Sequence, residues 1–264
     1  MYTLSEIWIY PIKSLGGIRL NNSRVQERGL QYDRRWMLVD PAGKFLTQRT
    51  VHEMSQLDVA FGADGFLITH RAFPGEQLML PFTTPSRDTL TVQIWDDTIE
   101  AVHVSPTLDS RLSQWLNREV KLVAMPDWTA RPVDPDYARE GETVSFADGY
   151  PLLVVGQSSL DDLNSRLETP ISMQRFRPNL IVVGSEAFAE DTWKEIQIGS
   201  ATFRGVKPCA RCVLTTIDPA TGSIGAEPLK TLATYRKRNN KILFGMNLLA
   251  RPGHVAVGDL VVTA

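Results

Sequence analysis

The chain has 264 residues, 43% hydrophobic and 22% charged, with a net charge of −2. That length supports one large domain or two modest cores, and the near-neutral balance excludes the global basic field that drives nucleic-acid binding. No apolar run approaches the ~20 residues of a membrane-spanning helix, and the opening "MYTLSEIWIYPIKSLGG" lacks the basic and apolar segments of a signal peptide.

The first half reads as β. The stretches "YTLSEIWIYPI" (2–12), "RRWMLVD" (34–40), "FLITH" (66–70), "TLTVQIW" (89–95) and "TIEAVHV" (98–104) are short, partly alternating, and rich in β-branched and aromatic residues. Turn signals separate them at "DPAGK" (40–44), "GADG" (62–65) and "WDDT" (95–98), the first marking a hairpin. A helix follows over 105–120, with Ser105 at the N-cap, Pro106 at the first helical position, and Leu108, Leu112, Trp115 and Leu116 as its apolar stripe. The stretch 125–151 carries four prolines and many charges and reads as a linker or surface excursion, hence a domain boundary.

In the second half, "PLLVVG" (151–156) reads as a buried strand. A serine-capped helix follows over 158–168, with Leu160, Leu163 and Leu167 on one face. Strands are expected at 179–184, 195–206, 212–217 and 254–264. Strands outnumber helices without βαβ alternation, so the expected class is mainly β (α+β), built of antiparallel barrels or sandwiches with appended helices. Trp8, Tyr10 and Trp36 read as core.

The two cysteines, Cys209 and Cys212, lie three positions apart in "VKPCARCVLTT" (206–216). Two cysteines cannot staple a secreted fold of this size, so a reducing cytoplasm is the expected setting. Four scattered histidines with no H-x₃₋₅-H spacing argue against structural zinc. A thioredoxin-like pair needs a helix after its first cysteine, whereas "VLTTI" is strand-like. An iron–sulfur cluster needs more cysteines than the chain has. Two readings remain open from the residues: a pair of buried thiols, or a soft metal held through one thiolate with other ligands from a cofactor. Lys207 and Arg211 flank the pair, and positive neighbours favour the thiolate.

"RFRPN" (175–179), "FAEDTWKEIQIG" (188–199), "KPCARCVLTTIDPATG" (207–222) and "VAVGDLV" (255–261) resemble the MOSC domain, and "EIWIYPIKSLGG" (6–17) with "GLQYDRRWMLVD" (29–40) resembles the β-barrel domain that precedes it. The combination is similar to the amidoxime-reducing components and their bacterial relatives. The resemblance implies an N-terminal β-barrel domain over 1–125 packed on a MOSC β-barrel over 126–264, with a molybdenum cofactor (molybdopterin) between them. It implies Cys212 as the ligand to molybdenum and the catalytic residue, with Cys209 not a ligand. It implies Lys13, Ser14, Arg34, Asp148, Arg177 and Asn179 as cofactor contacts. Relatives often carry Thr-Ser after the aspartate, where this chain has Gly149 and Tyr150. Read alone, "KS" after a strand is a solvated turn, Arg34 beside Arg35 is a surface charge pair, and Pro178 merely fixes the start of a strand. The implied activity is reduction of N-oxygenated compounds such as amidoximes and hydroxylamines. Longer bacterial relatives add an iron–sulfur domain with no counterpart here, so the expected electron source is an external ferredoxin/flavodoxin-type or cytochrome b5-type donor, with no nucleic-acid or membrane partner. The alternative is a non-catalytic carrier of molybdenum cofactor or sulfur. The link to the sulfurases also brings pyridoxal phosphate binding among the expected family attributes.

Overall fold

The computed structural model of the chain describes residues 1–84 and 86–264. Seven strands close into a barrel in the order Leu152–Gly156, Leu180–Val183, Tyr2–Ile9, Leu260–Thr263, Glu195–Ile198, Ala201–Ala210 and Lys241–Arg251, and the seventh pairs back with the first. The barrel ladders are antiparallel except between Leu152–Gly156 and Leu180–Val183. Those parallel strands need a crossover, which helix Gln157–Asn164 supplies.

Leu152–Gly156 is buried at every position. Its inward side chains join Leu4, Ile7, Leu180, Phe203 and Leu248, and its outward ones meet Leu160 and Leu163 of the helix. Each such side chain contributes roughly 1.5–3 kcal/mol on full burial, so packing on both faces fixes this strand.

The other half of the molecule holds a four-stranded sheet, ordered Trp36–Val39, Lys121–Ala124, Asp97–His103, Thr89–Ile94, and a three-stranded meander of Leu57–Phe61, Gly65–His70 and Gln77–Pro81. Helix Pro106–Trp115 covers their shared core with Leu108, Leu112 and Trp115. The fold is mainly β: among the described residues there are three α-helices. Asn22–Gln26 pairs with Gly253–Ala256, a second link between the chain's early and late segments beside that of Tyr2–Ile9.

Several local expectations change. The run after Cys212 is not a strand: Val213–Thr216 is a 3₁₀ turn with Cys212 at its N-cap. Thr215 Oγ1 donates to the Cys212 carbonyl at 3.0 Å and Thr216 Oγ1 to that of Val213 at 2.8 Å, so these hydroxyls satisfy the backbone locally and offset strand propensity. The second helix starts one residue early behind Gly156 and stops at Asn164, whose side chain bonds Ile171 at both its N–H and its carbonyl. The first helix ends at Trp115, and Ser105 makes no side-chain cap. The stretch 125–151 is not a surface excursion. Arg131, Val133, Val144, Ser145 and Phe146 are buried, Phe146 in a cluster with Met37, Val39 and Val123.

Candidate functional site

Strand Ala201–Ala210 leads to the cysteines through two register shifts against Lys241–Arg251, at Gly205/Lys207 and Pro208/Ala210. Pro208 cannot donate to a ladder, and Gly205 lies where an added Cβ would sit 2.0 Å from the Trp193 carbonyl. Bulges re-aim the residues that follow. Here they deliver Cys209 and Cys212, both free and half-buried, to the wall of a cleft that opens to solvent. Lys13, Ser14, Arg34, Asp148, Arg177 and Asn179 line the same cleft.

Three turns bring these residues together. The Lys13 N–H bonds the Trp36 carbonyl at 2.8 Å, Arg34 N–H bonds that of Tyr10 at 2.9 Å, and Phe146 N–H bonds that of Arg34 at 3.0 Å, so 10–14, 33–36 and 145–148 are stitched edge to edge. Ser14, Arg34 and Arg177 all hold left-handed backbones, with φ of 68°, 48° and 54°. Such conformations cost about 1–3 kcal/mol each in non-glycine residues and persist where the surroundings over-determine them. The Gln48 side chain supplies one such constraint, donating to the Ser14 carbonyl at 2.7 Å.

Lys13 is buried, and its Nζ donates to the Phe146 carbonyl at 2.8 Å and to Asp148 Oδ1 at 2.6 Å. Burial pushes its pKa down to about 8, against the pull of Asp148. Partial burial pushes the Asp148 carboxyl up, but Lys13 and Arg49 outweigh that and hold it well below the usual carboxylate range. Arg34 and Arg177 lie over the Tyr10 ring, at 4.3 Å and 4.1 Å from its centroid. Arg34 is paired with Asp33 at 2.6 Å. Arg177 has no carboxylate partner among the described residues, its Nη2 is buried without a hydrogen bond, and desolvation lowers its pKa to about 10. The Asn179 amide is engaged by backbone, accepting from Leu153 N–H at 3.2 Å and donating to the Trp8 carbonyl at 3.1 Å.

Sequence reasoning missed two arginines. Arg49 sits in a tight turn where its N–H bonds Thr47 Oγ1. Its Nε reaches Cys212 Sγ at 3.2 Å and its Nη2 reaches Asp148 Oδ2 at 2.7 Å. Arg131 is buried and donates to the carbonyls of Ser145, Ala147 and Asp148 and to Asp97, which fixes the loop that carries Asp148. No motif marks either arginine; "LTQRT" and "TARPV" read as ordinary loops. Of the two cations expected beside the thiols, Arg211 is there, donating to Cys209 Sγ at 3.0 Å. Lys207 points away, over the rings of Tyr137 and Tyr150. Tyr10 is core as expected, yet it also spaces two guanidinium groups.

The cleft therefore presents one ammonium and several guanidinium groups around a half-exposed carboxylate and two thiols. Such a set grips a polar anion through charge-assisted bonds. Among the described residues no three His, Cys, Asp or Glu side chains group to hold a metal ion. Among the described residues no helix is long and apolar enough to cross a membrane.

Two family descriptions match the chain: the MOSC N-terminal beta barrel domain over residues 1–119 and the MOSC domain over 141–262. The chain is 31% identical to mitochondrial amidoxime-reducing component 1 of Homo sapiens, over 98% of this chain and 82% of that protein. It is 34% identical to mitochondrial amidoxime reducing component 2 of Homo sapiens, over 89% and 72%. It is 30% identical to the molybdenum cofactor sulfurase of Oryza sativa subsp. japonica, over 93% of this chain and 32% of that protein. These matches lend no support to pyridoxal phosphate binding. They span both halves of the chain in one continuous order, so the chain belongs to the MOSC family, in the two-part form it shares with the mitochondrial amidoxime-reducing components.

Proposed function

We propose that the cleft between segments 1–125 and 126–264, read as two domains, binds a molybdopterin-type molybdenum cofactor. In this reading Cys212 is the protein's ligand to the metal, and the holoprotein reduces N-oxygenated compounds such as amidoximes or hydroxylamines. The observation that carries it is the buried, unpartnered Arg177 Nη2 in a cation-rich cleft beside a free thiol. Buried donors are almost always bonded, so this one is left for an anion. The names of the relatives also support both cofactor and substrate class.

The residues divide the work. Lys13, Arg34 and Arg177 hold the anionic and polar edges of the cofactor. Asp148, already ionised, accepts N–H groups from a pterin ring. Arg49 ties Cys212 Sγ to Asp148, so the thiol and the ring-binding carboxylate are set by one side chain. Ser14 and Asn179 shape the wall, Asn179 by knitting Tyr2–Ile9 to Leu152–Gly156. When bound, the cofactor supplies the two-electron removal of oxygen from an N–O bond. The electrons come from a separate ferredoxin/flavodoxin-type or cytochrome b5-type carrier. A cytoplasmic setting rests on the sparse cysteines, and the mitochondrial names of the relatives do not add to it.

A carrier of cofactor or sulfur is the second reading, favoured by the match to a molybdenum cofactor sulfurase. The test is to express the chain in a cofactor-competent host, quantify molybdenum and pterin, and assay N-hydroxylated substrates with dithionite-reduced methyl viologen. Stoichiometric molybdenum with turnover is expected. Loaded protein that stays inactive would favour the carrier, and protein that takes up neither metal nor pterin would remove the reductase and the cofactor carrier alike, leaving only carriage of sulfur.

A further inference from the structure

The strand that delivers the cysteines has a neighbour with unusual charge. Leu243 of Lys241–Arg251 pairs with Ala210, and the Ile242 carbonyl accepts the Arg211 N–H at 2.7 Å, one residue from Cys212. Just before Ile242 the chain forms a short ribbon, Lys237–Arg238 against Lys241 and Ile242. Asn239 and Asn240 join its arms, both left-handed at φ of 47° and 60°, as a two-residue type I′ turn requires. The ribbon is thus a fixed projection rooted beside the thiol.

Lys237, Arg238 and Lys241 are all exposed. Arg238 stands directly opposite Lys241, and like charges so placed weaken a ladder. None of the three, nor exposed Lys230 on helix Leu229–Tyr235, takes part in an ion pair among the described residues. That helix touches both the ribbon and the turn Val213–Thr216. Val213, next in sequence to Cys212, and Ile224, bridged to Ile217 at the end of the same turn, are 46% and 52% exposed. A small apolar centre beside unpaired cations matches a short-lived contact steered by opposite charge.

We infer that this ribbon, with Val213 and Ile224, is the docking face for a small acidic one-electron carrier protein. The inference rests on the reductase reading, which needs such a donor. The chain's net charge of −2 makes the ribbon a local basic feature, not part of a nucleic-acid-binding field.

The test uses molybdenum-loaded protein, an acidic 2Fe–2S ferredoxin as probe, and the variant Lys237→Glu/Arg238→Glu/Lys241→Glu. A second variant with Gln at the three positions guards against local unfolding. At about 10 mM salt, where the Debye length is roughly 30 Å, the wild type is expected to bind the ferredoxin and accept its electrons at least about tenfold faster than the Glu variant. At about 1 M salt, where that length is roughly 3 Å, the difference is expected to vanish. Molybdenum content and viologen-driven turnover stay equal. Equal ferredoxin binding by wild type and both variants at low salt overturns the docking face. So does tighter binding of a single-stranded oligonucleotide than of ferredoxin. Absent viologen-driven turnover strikes the reductase reading instead, and the binding comparison still decides the face.

Discussion

Lys13 is a buried cation whose charge is a net cost to the fold. Its pKa falls from 10.5 to about 8 because burial outweighs the attraction of Asp148. Between those values the unfolded chain binds more protons than the native one, so stability rises with pH across the window and is flat below it. Lys13→Met keeps the apolar stem and removes the ammonium. At neutral pH the variant sheds the cost of burying the charge but leaves the Phe146 carbonyl without its donor, a loss of about 1–3 kcal/mol. These oppose each other, so the decisive quantity is the pH dependence. At about 1.36 kcal/mol per pH unit, moving from about pH 7 to about pH 9.5 is expected to stabilise the wild type by about 2 kcal/mol relative to the variant. Urea unfolding followed by tryptophan fluorescence at both pH values, with matching slopes, measures the double difference. A stability gap between the two proteins that does not change with pH would refute the assignment of a depressed native pKa to Lys13.

Two further outcomes follow from the same geometry. Cys212→Ser is expected to lose molybdenum while Cys209→Ser largely keeps it, because Cys212 is the thiol tied through Arg49 to Asp148 whereas Cys209 faces Arg211; equal loss measured by metal analysis would point to a chelating pair. Arg131→Ala leaves the carbonyls of Ser145, Ala147 and Asp148 without their donor, at about 1–3 kcal/mol for each that stays dry, and is expected to destabilise by about 3–5 kcal/mol, with a melting temperature lower by about 10 °C; a change under about 1 kcal/mol by calorimetry would contradict the role given to Arg131.

The β-rich class, most strand positions and the helix Pro106–Trp115 were legible because alternation, the spacing of Leu108, Leu112 and Trp115, and a proline at the first helical position are local signals. The cysteine motif was legible too, but its conformation was not. "VLTTI" has strand propensity, and only the threonine hydroxyls folding back on the chain reveal a turn. The stretch 125–151 misled for the opposite reason: prolines and charges suggest solvent, while Arg131 satisfies a set of carbonyls that lets Phe146 be buried. At the site, Lys13, Arg34 and Arg177 were reached by resemblance and not by spacing. Arg49 stayed hidden because it enters the cleft from a loop, and loop residues meet a site through tertiary placement that no periodicity encodes.

The pairing of Tyr2–Ile9 has a consequence for how the molecule is made. Thr3 stands opposite Val183 on one side and Leu260 on the other. During synthesis the Ile7–Ile9 end of this strand finds an early partner in Ile18–Leu20, but its Tyr2–Thr3 end waits for more than two hundred further residues before Leu260 and Val261 arrive. Barrel closure therefore comes late in folding, and contacts so distant along the chain make it slow. In that interval the Tyr2–Glu6 end of the strand stands open with Leu4, which the finished barrel buries, and an open strand edge is a template for wrong pairing until closure.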